Sequence, residues 1–99
     1  MIRDGICRDL LQYANDVSSP LLEDKKNLLL EAARSIAWGS NLLALSGVRI
    51  EESNLAVRLD NFAYGIEFRY GDETAAIMQE AATALRRLRL MLGLKNEDL

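Results

Sequence analysis

A chain of 99 residues with a net charge of −3 can bury one core unaided, and it is too acidic to coat nucleic acid indiscriminately. It has no histidine, which removes the commonest general base, the triads that depend on it and the usual zinc ligand. One cysteine closes no internal disulfide, and no apolar run approaches the roughly twenty residues that a membrane span needs.

The N-terminal stretch MIRDGICRDLLQ carries Asp4, Arg8 and Asp9 where a signal peptide needs an unbroken apolar core, so a cytoplasmic location is expected. Ile2, Ile6, Leu10, Ala14 and Val17 recur on one helical face and predict a first helix, with Gly5 weakening its first turn. Cys7 lies beside that face and is expected to pack as a small hydrophobe rather than to act as a nucleophile. Val17-Ser18-Ser19-Pro20 stops this helix and begins the next, with Ser19 as cap and Pro20 in the first helical position.

The second helix is expected from Pro20 to Ser46, closed by Gly47. Leu28, Leu29 and Leu30 cannot share one face, because neighbours lie about 100° apart around a helix. A helix apolar on two sides belongs at the centre of the fold. Ala32, Ser35 and Gly39 form a groove of small residues in which another backbone can approach closely.

From Val48 to Tyr70 the apolar residues alternate. Phe62, Tyr64, Ile66, Phe68 and Tyr70 fall on every second position, as do Leu55, Val57 and Leu59, and Val48 and Ile50. With turns at Glu51 to Asn54 and at Asp60-Asn61, every one of them reaches one side of a three-stranded antiparallel meander. A helical reading competes, because Leu55, Leu59, Phe62, Ile66 and Tyr70 also have helical spacing. That helix carries Asn54, Asp60, Asn61 and Gly65, all poor helix formers, and leaves Val57, Tyr64 and Phe68 off its apolar stripe. The strand reading is preferred.

Asp72 is a natural cap for a last helix whose buried stripe is Ile77, Ala81, Leu85, Leu88 and Leu92, ending at Gly93. The expected fold is one α+β domain over residues 1–99, with 95–99 a frayed tail. Two N-terminal helices, the meander and one C-terminal helix make it up, and the alternative is an all-α four-helix bundle.

No residue set spells a reaction. The acidic pairs Glu23-Asp24, Glu51-Glu52, Asp72-Glu73 and Glu97-Asp98 suit capping, turns and solvation, and phosphate-loop and nucleophile-elbow spacings are missing. The chain is therefore expected to be non-catalytic and to use no cofactor and no metal. A small acidic protein with surplus apolar surface suits stoichiometric binding to a protein partner, of the inhibitor, immunity, antitoxin or chaperone type. The contact residues are expected to be Phe62, Tyr64, Ile66, Phe68, Tyr70, Glu67 and Arg69, on an edge strand that pairs with a partner or a second copy. Acidic Glu51, Glu52, Asp60, Glu97 and Asp98 would steer a basic partner. Two alternatives stand beside this: a nucleic-acid-associated regulator using Arg86, Arg87 and Arg89, and a non-catalytic subunit of an enzyme complex.

Overall fold

The computed structural model describes residues 2–15, 22–48 and 53–93. Among them lie four α-helices and one short 3₁₀ turn: α1 (Ile6–Asn15), α2 (Leu22–Leu45), α3 (Ser53–Tyr64), the turn Ile66–Phe68 and α4 (Gly71–Met91). There is no strand among the described residues. The α+β expectation, with its meander and its docking edge, is overturned in favour of the four-helix alternative. Arg49 to Glu52, the proposed Ser19 cap, Pro20 and the tail 95–99 lie outside the described residues.

The correction turns on two alanines. Leu55, Leu59, Phe62 and Ile66 are buried in either reading, but Ala56 and Ala63 are buried as well, and the strand pattern put both on the polar side. Seven residues apart, they share one helical face and let α3 approach α2, its main neighbour. Asp60 and Asn61 lie on the exposed side, where poor propensity costs only tenths of a kcal/mol each. Burying Leu55, Leu59 and Phe62 gains about 1.5 to 3 kcal/mol apiece, so packing outweighs propensity. Gly65 ends the helix in a turn, with its N–H donating to the Phe62 carbonyl at 3.2 Å, and the 3₁₀ turn then tucks Ile66 into the core.

Contacts set the helix directions. Arg3 meets Glu31 while Tyr13 lines a cleft with Asp24 and Asn27, so α1 and α2 are antiparallel. Lys26 lies over Tyr64, near the start of α2 and the end of α3. Arg58 meets Glu80, and Asp4 and Cys7 meet Arg89 and Ala82, so α4 runs against both α3 and α1. The result is an up-down-up-down bundle in which α2 and α4 are parallel and pack together, α3 lies chiefly on α2, and α1 chiefly on α4. Its cross-section is flattened: the principal extents are 41 × 28 × 17 Å.

Helix ends follow their local chemistry. Gly47 has φ +82°, donates to Ala44 O at 3.0 Å, and is followed by Val48 donating to Leu43 O at 2.9 Å, which is a Schellman closure of α2. Gly5 precedes α1 rather than weakening it; it sits in a tight turn at φ +90°, and Ile2 upstream still reaches the core. Asp72 is not the cap of α4. That position belongs to Tyr70, whose carbonyl accepts from the Thr74 hydroxyl at 3.1 Å, while Asp72 sits in the first turn and accepts from the Glu73 N–H at 2.9 Å.

Among the described residues one buried side-chain polar atom is unpaired. The Ser40 hydroxyl, on α2, makes no hydrogen bond. Ser40→Ala removes that desolvation cost and adds helix propensity, so the variant should be more stable by about 1 kcal/mol in urea unfolding.

Candidate partner-binding surface

The last turn of α3, the 3₁₀ turn and the segment leading into α4 form one corner of the bundle. Helical periodicity splits the nine residues from Phe62 to Tyr70 into two groups. Phe62 and Ile66 point into the core, whereas Tyr64, Phe68 and Tyr70 stay 68%, 84% and 76% exposed. Three large aromatic side chains thus lie in solvent within seven residues of each other. Exposed Glu67 and Arg69 flank Phe68 on either side. The Arg69 guanidinium lies 5.1 Å from the Phe62 ring centroid, and the Lys26 ammonium lies 5.2 Å from that of Tyr64. The second contact holds the Tyr64 ring at the protein surface without burying it, and the first covers the outer face of the buried Phe62 ring.

The corner continues into a furrow between α3 and α4, whose direct packing is sparse. Two clefts lie along it, of 410 Å³ and 480 Å³, and share Arg58 and Glu80. Leu55 and Ala84 line the first, Phe62 and Ile77 the second. Arg58 spans the furrow and donates two hydrogen bonds to the Glu80 carboxylate, at 2.8 and 3.0 Å. Those bonds and the carboxylate charge hold the Arg58 guanidinium above its ordinary pKa. No sequence pattern joins residues 58 and 80, so this furrow was not legible before folding. Val57, expected with Tyr64 on the apolar side of the meander, shares the outward side of α3 with it and is 61% exposed.

The three arginines of α4 do not form one patch. Arg86 is exposed, Arg87 lines the upper cleft, and Arg89 is buried with its guanidinium 3.8 Å from Asp4. Neighbouring positions lie about 100° apart around the axis, which separates the first two. Cys7 is fully buried and its thiol donates to the Ala82 carbonyl at 3.6 Å. Glu23-Asp24 and Asp72-Glu73 occupy the first turns of α2 and α4, beside the positive ends of those helix dipoles. The other two acidic pairs, Glu51-Glu52 and Glu97-Asp98, lie outside the described residues, and Asp60 is exposed on α3. Among the described residues no three His, Cys, Asp or Glu side chains are grouped so as to hold a metal ion. No helix there is long and apolar enough to cross a membrane.

Arg3 ties α1 to α2. It donates to both Glu31 oxygens, at 2.6 and 3.2 Å, and to Asp9 at 3.0 Å; the Glu31 bond chiefly, and then the Asp9 bond, raise its pKa. A cation whose folded pKa is raised contributes fully below its unfolded value, so this contribution is constant through the neutral range. It belongs to the scaffold. No protein-family model matches this chain, and neither a curated protein nor a solved structure does.

Proposed function

We propose that this chain is a non-catalytic, stoichiometric protein-binding module, of the inhibitor, immunity, antitoxin or chaperone type, that engages a protein partner through its aromatic corner. The observation that carries this reading is the exposure of Tyr64, Phe68 and Tyr70 together in a chain with only six aromatic residues. Tyrosine and phenylalanine are enriched in interface cores, where each supplies large contact area for little rotamer entropy. The furrow between α3 and α4 runs on from the corner and offers an apolar floor with paired charges on its walls. A partner element laid there would rest on Phe62 and Ile77 and meet the Arg58–Glu80 pair at the rim. The cytoplasm suits such a module, whose one cysteine is buried and forms no internal disulfide.

The nucleic-acid reading keeps Arg86 and Arg87 as phosphate contacts but loses Arg89 to the core, which weakens it. The test is capture of a partner from the native source at low and high salt. The triple variant Tyr64→Ser, Phe68→Ser, Tyr70→Ser should lose capture while keeping its helical circular dichroism. Undiminished capture by the folded triple variant sinks the aromatic corner, and capture of nucleic acid that high salt abolishes supports the arginines instead.

A further inference from the structure

Between Arg34 and Arg49 the sequence holds no charged residue, in a chain that is 27% charged. Residues 35–48 make up the second half of α2 and its closing turn, and half of that stretch faces solvent. Solvent-facing helix sides in a small acidic protein ordinarily carry the charge. Here the exposed side carries Trp38, Asn41, Leu42 and Leu45, the last 85% exposed.

The geometry explains why this side is open. Earlier along α2 the same side is covered: Asp24, Asn27, Leu28 and Glu31 line a cleft with Arg3, Asp9 and Tyr13. α1 has only 10 residues against 24 in α2, and its N-terminal approach meets α2 at Glu31. Trp38 and Leu42 lie seven and eleven residues beyond Glu31, two and three helical turns on, where α1 no longer reaches. The adjoining small-residue groove is already filled, since Gly39 lies against Leu88 and Leu92 of α4. Apolar surface thus remains on one side of α2 and over one half of its length.

We propose that this side of α2 is where two copies of the chain pair, antiparallel about a two-fold axis near Leu42, with Trp38 of one copy beside Leu45 of the other. A second copy fits on grounds of charge. An isologous interface sets the same face against itself, so a face carrying charge of one sign repels its copy, and this face has no charge to repel. A basic or acidic partner would find nothing here to pair with. The spacing also suits it, because Trp38, Leu42 and Leu45 recur at four and three residues, the repeat that lets two helices interlock side chains. From Trp38 to Leu45 the face is roughly 10 Å long and one helix wide. That is below the ~800 Å² per partner of a standard stable interface and places the dimer among the reversible ones. The face is separate from the aromatic corner: Trp38 to Leu45 lie 12 to 19 residues past Lys26, or roughly 18 to 28 Å along α2.

Trp38 is the only tryptophan of the 99 residues, so the chain carries its own probe. Sedimentation velocity over a wide concentration range should show a monomer passing to a dimer, with the Trp38 emission moving to shorter wavelength in step and added salt leaving the midpoint unchanged. Leu45→Glu alters a solvent-exposed position, so it should keep its helical circular dichroism and sediment as a monomer throughout. Phe68→Ser should dimerise as the wild type does. Three results overturn the proposal: a wild type that stays monomeric at every concentration, a dimer that survives Leu45→Glu, or a dimer abolished by Phe68→Ser. The last would assign self-association to the aromatic corner.

Discussion

Ala63→Asp should cost about 3 to 5 kcal/mol in urea unfolding, while Tyr64→Asp, one residue on, should cost about 1 kcal/mol or less. Ala63 is 0% exposed, packed where α3 meets α2. A carboxylate there has no room between the helices, and the one cation lining the same cleft, Lys26, is engaged over the Tyr64 ring, so the charge is buried or forces the helices apart. Stability of small domains is about 5 to 15 kcal/mol, so a loss of that size leaves the Ala63 variant partly unfolded at room temperature. Tyr64 faces solvent, and its replacement loses only the contact with the Lys26 ammonium. Both substitutions place the same poor helix former in the same final turn, so their difference isolates burial. In a meander the order would invert, with Tyr64 inside and Ala63 outside. Midpoints from circular dichroism with equal slopes would give the two values directly; equal costs at the two positions would contradict the helical assignment of α3.

The inversion shows where the sequence stopped being readable. α1, α2 and α4 were legible because their apolar residues fit one period and their ends carry local signals. Gly47 and Gly93 both take positive φ and close their helices where expected. In α3 two periods overlap on Leu55, Leu59, Phe62 and Ile66, and propensity favoured the wrong one because Asp60, Asn61 and Gly65 are poor helix formers. What decided the matter was the surface of α2 against which Ala56 and Ala63 pack, and no local window of sequence contains that surface. The same limit applies to the candidate site. Surplus aromatic residues near position 66 were visible from composition and spacing. Which of them face water depended on the backbone period, so Phe62 and Ile66 went to the core and Tyr64, Phe68 and Tyr70 to solvent. Arg89 looked like part of a basic patch until the fold set it beside Asp4, 85 positions away in the chain.

The crossing of α2 and α4 offers a second large effect, and one whose sign changes with side-chain size. Gly39 sits inside a helix, where glycine costs about 1 kcal/mol relative to alanine in backbone entropy. A Cβ at this position would lie 3.4 and 3.5 Å from the two Leu88 methyls and 3.5 Å from one Leu92 methyl. Those are ordinary van der Waals separations, and they leave no room for anything further. Gly39→Ala should therefore keep the packing, recover the entropy and raise stability by about 0.5 to 1 kcal/mol. Gly39→Leu has to place three more carbons where Leu88 and Leu92 already stand. Two parallel helices then separate, or the leucines leave their rotamers, at a cost of about 2 to 3 kcal/mol or more. Because α1 rests chiefly on α4 and α3 chiefly on α2, a spread at this crossing displaces both outer helices together. Urea midpoints rising for alanine and falling steeply for leucine are the expected pair of results. A leucine variant as stable as the wild type would mean that α2 and α4 do not pack at Gly39.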